Sequence, residues 1–195
     1  MVEFMNNLPQ IFFNNSKLYE NKTLFGFKTN NNWEHLSWKN TKDLVLNISS
    51  ALHEIGVKKN DKLSVIADNS YKWCAVDLAT ISLGAITVPG YTTSNEEEIS
   101  YLLSHSETSI VFVNGKLLSL ILNILPNLNK IKYVICIDNT NSSKFKKFNI
   151  GFYTFNELLT LGSKSDVKSN IIQHFVSKID ENDVVSIIYT SGTSN

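Results

Sequence analysis

Cysteine is nearly absent. The 195-residue chain has two, Cys74 and Cys136. Two cannot form the disulfide framework of a small secreted domain, and no CxxC pair exists to hold zinc. Both read as buried, reduced thiols, which suits a reducing compartment. An excess of charge is also missing: 18 Lys and Arg balance 18 Asp and Glu, for a formal net charge of zero. That removes the basic footprint of a nucleic-acid binder and the composition of an acidic tail. No apolar run is long enough to cross a bilayer. The longest, "LLSLILNIL" from Leu117 to Leu125, contains Asn123 and reads as a buried helix.

Several motifs are lacking as well. The start, "MVEFMNNLPQ", has no basic segment ahead of an apolar run, and position 2 is not the glycine of a myristoylation site. A secreted protein is therefore not expected. His35, His53, His105 and His174 form no HxH or HExxH pattern, so no metal site is expected. The GxxxxGK[ST] phosphate loop is absent, and there is no internal repeat. Trp33, Trp38 and Trp73 read as packing residues, since no basic patch accompanies them. The scattered asparagines, such as Asn30 to Asn32, read as drift in surface loops.

What is present is an ordinary globular mix, 43% hydrophobic and 18% charged. "TKDLVLNISSALHEIG" places Leu44, Val45, Ile48, Leu52 and Ile55 on one helical face, with Gly56 as the glycine after the helix. "KLSVIA" (62–67) reads as a strand. "NSYKWCAVDLATISLG" reads as a helix stopping at Gly84, and "AITVP" as a short strand ended by Pro89. "SNEEEISYLLSHS" suggests a capping box of Ser94 with Glu97, and Glu96, Glu97 and Glu98 suit a helix start. "SIVFV", "GKLLSLILNIL" and "KYVICID" continue as strand, helix and strand. Asp61 and Asp68, on either side of a strand, read as turn residues.

This alternation is the signature of βαβ units. The strands are apolar on both faces, so the expected fold is α/β, a mostly parallel sheet with helices on both faces. The stretch from Ser142 to Asn182 is less regular. Asn139 to Gly151 reads as a surface loop, "TFNELLTLG" as a short helix and "SKSDVKSN" as another loop.

The chain closes on "DVVSIIYTSGTSN". Val184 to Tyr189 reads as an apolar strand running into Thr190, Ser191, Gly192, Thr193 and Ser194. A glycine flanked by hydroxyls suits an anion: backbone N–H groups approach closely and each hydroxyl donates a hydrogen bond.

"IIYTSGTS" resembles the phosphate loop of the adenylate-forming enzymes, the group of acyl-CoA synthetases, luciferases and peptide-synthetase adenylation domains. Upstream, "LSWKNTKDL", "KKNDKLSVIADNSYKW" and "LGAITVPGYTTSNEEEISYLL" resemble further blocks of that family, in the right order. The resemblance covers most of the chain from Trp33 onward and is strongest to long-chain fatty acyl-CoA synthetases. It implies that Thr190, Ser191, Gly192, Thr193 and Ser194 contact the β- and γ-phosphates of ATP, with Mg²⁺ and CoA as the other partners. The implied reaction joins a fatty acid to AMP with loss of pyrophosphate, then passes the acyl group to CoA. Tyr189, Gly84 and Pro89 read as structural.

Two positions depart from the family pattern. Asn195 stands where the signature has glycine, and Gly90 where an apolar residue is usual. The catalytic lysine and the acyl-pocket residues belong to later parts of the family fold, so residues 1–195 read as a partial N-terminal AMP-binding domain, inactive alone and poorly soluble. A cytoplasmic location, or a peripheral one on an intracellular membrane, goes with the lipid substrate. Two other readings stay open: a ligase for a shorter or aromatic acid, and a non-catalytic remnant or binding module.

Overall fold

The computed structural model describes residues 7–167 and 169–190. Its elements in chain order are α1 (Leu8–Leu18), β1 (Thr23–Thr29), β2 (Asn32–Ser37), α2 (Trp38–Glu54), β3 (Lys62–Ile66), α3 (Tyr71–Ser82), β4 (Ile86–Pro89) and α4 (Glu96–His105). They continue with β5 (Ile110–Val113), α5 (Leu118–Ile124), β6 (Tyr133–Cys136), β7 (Gly151–Thr154), α6 (Phe155–Lys164) and α7 (Ser169–Ser177). The chain divides into two compact units.

The first unit holds α1, the β1–β2 hairpin, α2, α3, α7 and most of α6. Asn7 caps α1 by accepting from Gln10 N–H at 2.9 Å. Its amide also donates to the carbonyls of Val176 and Ile179, at 3.2 and 2.9 Å, so one buried asparagine serves the start of α1 and the end of α7. The hairpin corrects the reading of the asparagine run as loop drift. Thr29 pairs with Asn32 across Asn30 and Asn31, whose φ angles are 49° and 66°. Two successive left-handed residues match the strand twist, and asparagine tolerates them better than other side chains. Trp33 lies on this hairpin and is 64% exposed, so it does not pack as expected. Helix α2 starts at Trp38, capped by Ser37, and Val45, Ile48 and Leu52 line its fully buried stripe. Gly56 and Gly84 follow α2 and α3 with φ of 92° and 70°, as the helix-stop reading requires.

The second unit is a five-stranded, all-parallel sheet in the order β4-β3-β5-β6-β7. β-Branched and aromatic residues make these strands: Val65, Ile66, Val111, Phe112, Val113, Val134 and Ile135 are fully buried. Ile66, Val111, Val113 and Val134 share a cluster with Ile99 and Leu103 of α4 and Ile121 of α5. Residues at the alternate positions, Leu63, Val65, Phe112 and Ile135, are equally buried, so both faces of the sheet are covered. Gly90 gains a role. A Cβ there would lie 3.0 Å from Ile66 Cγ1 and 3.4 Å from Leu102 Cδ1, so those side chains would have to give way to a larger residue.

Three expectations need correcting. The capping box is Asn95 with Glu98, one residue later than Ser94 with Glu97; both its hydrogen bonds form, at 3.0 and 2.9 Å. The loop from Asn139 to Gly151 contains a 3₁₀ turn, Ser143–Phe148, with Phe145 wholly buried, and leads into β7. Residues read as an irregular stretch form α7. Of the two thiols, Cys136 is buried, whereas Cys74 is half-buried; both are free.

Candidate active site

The order of the sheet marks one place for a ligand, one strand away from the segment that follows residue 183. From β3 the chain passes to β4 on one side and then to β5 on the other, so the loops leaving β3 and β5 diverge at their carboxyl ends. In open parallel sheets that divergence is where ligands bind.

The segment Val184 to Tyr189 runs along the outer side of β4. It is not the full strand expected. Ser186 forms an isolated parallel bridge with Thr87, with Thr87 N–H donating to Val185 O and Ile187 N–H to Thr87 O, both at 3.0 Å. Val184 and Ile188 are 55% and 68% exposed. The parallel direction delivers Thr190, exposed, to the carboxyl end of the sheet beside Pro89. Of the five expected phosphate contacts only Thr190 is described; Ser191, Gly192, Thr193 and Ser194, with Asn195, lie outside the described residues.

Beside Thr190 is a cavity of about 400 Å³, lined by Pro89, Tyr91, Glu98, Tyr101, Tyr189 and Thr190 among others. Tyr189 is more than the packing residue expected. Its hydroxyl lies 2.7 Å from His105 Nδ1. Tyr101, one turn before His105 on α4, stacks on the imidazole with centroids 5.1 Å apart, and meets Tyr189 edge-on. Burial, with Tyr101 alongside, pushes the Tyr189 phenol up, so it stays protonated and available as a donor.

A second polar cluster sits on the loops after β3, β4, β5 and β6. Both oxygens of Asp68 lie 2.9 Å from Lys116 Nζ, and Thr92 Oγ1 donates to Asp68 at 3.0 Å. The Lys116 and Thr92 hydrogen bonds hold the Asp68 carboxyl below its ordinary value. Asn114 Oδ1 accepts from Asp68 N–H at 2.7 Å. Asp138 accepts from Gly115 N–H at 2.8 Å, Thr140 Oγ1 at 2.9 Å and the Cys136 thiol at 3.0 Å. Burial works against its charge, but these donors outweigh it and hold Asp138 at about 2. Burial first, then the Asp138 carboxylate, pushes the Cys136 thiol up to about 11. Asp68, read as a turn residue, lies in the loop that follows β3 and also bonds there to Lys116 and Thr92. Among the described residues no group of three His, Cys, Asp or Glu is placed to hold a metal ion.

The chain is similar to known proteins. The family model described as AMP-binding enzyme matches residues 12–194. The chain is 28% identical over 165 residues to a chloroplastic long-chain-fatty-acid–[acyl-carrier-protein] ligase of Arabidopsis thaliana, covering 82% of this chain and 23% of that protein. It is 29% identical to long chain acyl-CoA synthetase 4 of the same plant, covering 78% of this chain and 22% of that protein. A long-chain-fatty-acid–CoA ligase of Rattus norvegicus is 25% identical over 196 residues, covering 98% of this chain and 26% of that protein. The chain thus spans about a quarter of the length of these relatives. Among solved structures, an anthranilate CoA ligase in complex with anthranoyl-AMP superposes with a TM-score of 0.80 at 20% identity, over 96% of this chain and 32% of that one. At that identity the likeness speaks for the fold alone.

Proposed function

The chain belongs to the AMP-binding enzymes, and from that premise we propose that it is the N-terminal portion of an ATP-dependent long-chain fatty acid–CoA ligase. The observation that carries the proposal is the loop entry. A segment of family-like sequence delivers Thr190 to the carboxyl end of a parallel sheet, next to a cavity, with Ser191, Gly192, Thr193 and Ser194 following directly. The long-chain substrate is supported by the names of the relatives, two from a plant and one from a rat.

In this reading Thr190, Ser191, Thr193 and Ser194 donate hydroxyl hydrogen bonds to the β- and γ-phosphates of ATP, and Gly192 lets its backbone come close. A fatty acid carboxylate oxygen attacks the α-phosphorus. The bond from that phosphorus to the β-bridging oxygen breaks, and pyrophosphate leaves. The thiolate of CoA then attacks the acyl carbon and AMP leaves. The loop contributes by holding phosphate charge in a fixed position, which lowers the barrier without covalent chemistry. Magnesium has no ready-made ligand set among the described residues. It would arrive on the nucleotide and neutralise phosphate charge there. Residues 1–195 alone are inactive in this reading, and the complete protein makes peripheral contact with a membrane to collect its substrate. No helix among the described residues is long and apolar enough to cross a membrane.

The test is pyrophosphate–ATP exchange by the full-length protein with palmitate, benzoate and acetate. Exchange that depends on palmitate is the expected result. Exchange with benzoate or acetate alone would replace the long-chain assignment with a shorter or aromatic acid. Exchange with none of a full range of acids would overturn the adenylating reading.

A further inference from the structure

We propose that His105 is a positioning residue for the hydroxyl-rich loop, acting through Tyr189. This rests on the reading of Thr190 to Ser194 as the loop that holds ATP phosphates.

The approach to the loop is weakly tied. Among the described residues, the backbone hydrogen bonds that join this segment to the sheet end at Ile187. Ile188 is 68% exposed and gives little anchorage. Tyr189 is the next attachment, and it is made by a side chain: the hydroxyl at 2.7 Å from His105 Nδ1, with the ring half-buried against the core of the second unit. Thr190 follows immediately, so the Tyr189 contact sets where the hydroxyl run departs.

His105 is a firm post. It is the last residue of α4, a helix fixed at its start by the Asn95–Glu98 capping box and along its length by buried Ile99, Leu102 and Leu103. The turn beyond it is locked too. Ser106 Oγ donates to Leu102 O at 2.6 Å and meets Thr108 Oγ1 at 2.8 Å, both residues buried. Tyr101 stacks on the imidazole with an interplanar angle of 21°, which limits how the ring turns. The result is a rigid helix end that presents one ring nitrogen to the strand exit. A hydrogen bond this exposed adds little to global stability. Its effect is local: it narrows the positions open to Thr190 before ATP arrives, and preorganised donors bind phosphate better than mobile ones.

The experiment uses the full-length protein and four kinds of variant, with ATP KM, kcat and thermal midpoint read for each. Tyr189→Phe keeps the ring and removes the hydroxyl. His105→Leu keeps bulk and removes the nitrogen. Each is expected to raise the ATP KM roughly fivefold, the scale of one lost hydrogen bond, with kcat and the thermal midpoint almost unchanged. The double variant is expected to match either single one, because one bond is lost in every case. His105→Asn, whose side-chain amide reaches the place of Nδ1, is expected to restore most of the ATP KM. Thr190→Ala and Thr193→Ala report on the loop itself. If they raise the ATP KM while Tyr189→Phe and His105→Leu do not, the positioning role falls and the loop reading stands. If the two single effects multiply in the double variant, His105 and Tyr189 act separately and the proposal is overturned. If no variant, loop residues included, changes the ATP KM, both readings fall together.

Discussion

Gly162 is the position where local propensity and tertiary packing give opposite answers. It lies near the end of α6, inside a helix, where replacing glycine by alanine ordinarily stabilises by about 1 kcal/mol. Here the added methyl has no room. A Cβ on Gly162 would overlap the carbonyl oxygen of Asn47, and would stand 2.8 Å from that carbonyl's carbon and 3.2 Å from Ala51 N. Normal contact for these pairs is about 3.4 Å or more, so the backbones must part by more than half an ångström. The backbone of α2 has little freedom to yield, since Ile48, Ala51 and Leu52 around the contact are fully buried. Overpacking of this kind costs about 3 kcal/mol at the upper end of its usual range. Subtracting the propensity gain leaves Gly162→Ala about 2 kcal/mol less stable. Urea denaturation followed by tryptophan fluorescence reads this directly: with a typical slope of about 2 kcal/mol per molar, the midpoint falls by roughly 1 M. Ser163→Ala, one residue on and exposed, serves as the control and stays within about 0.5 kcal/mol of the parent. A Gly162→Ala protein as stable as its parent, or more so, would refute the close approach of these two helices.

Other expectations follow from equally local features. Gly56 has open space around it but a φ of 92°, so Gly56→Ala costs about 1 kcal/mol from conformation alone, and Gly56→Asn less; urea midpoints of the two variants separate strain from crowding. Among the described residues Thr87 Oγ1 is buried without a hydrogen-bond partner, so Thr87→Val raises stability by about 1 kcal/mol in the same assay. Asp138 has a folded value of about 2 against an ordinary 3.8, so its contribution is complete above pH 4 and is lost as pH falls from there through 2. Because the carboxylate is partly exposed, that contribution is about 1 kcal/mol after allowance for solvent screening. The acid unfolding curve of Asp138→Asn therefore converges on that of the parent at low pH.

Legibility in the sequence followed locality. Strands β3 to β6 were readable because runs such as "SIVFV" are β-branched, apolar on both faces and bounded by turn residues. The capping box slipped by one because "TSNEEE" offers two adjacent cap residues and three glutamates; only the geometry selects Asn95 and Glu98. The β1–β2 hairpin was missed because β2 is mostly exposed and shows no hydrophobic alternation. Its one signal was the pair Asn30–Asn31. Helix α7 does carry a local signal, buried Ile172, Val176 and Ile179 at helical spacing; the short, mixed stretch around it obscures that pattern, and the carbonyls near its end are served by Asn7, 169 and 172 positions away. The motif singles out Thr190 as an expected phosphate contact, whereas His105 and Tyr189, 84 positions apart, come together only in three dimensions.

The bridge between Thr87 and Ser186 also has a consequence in time. During synthesis β4 emerges early, and the residues that flank it on its open side come last of those described. Parallel pairing across so long an interval is slow, because the intervening chain must be ordered before the contact repays its closure. Until Ser186 docks, the outer edge of β4 offers unpaired backbone to any neighbouring strand, the usual route to misassembly. Among the described residues, the segment that leads to Thr190 is thus the last part of its unit to be made and the last available to cover that edge.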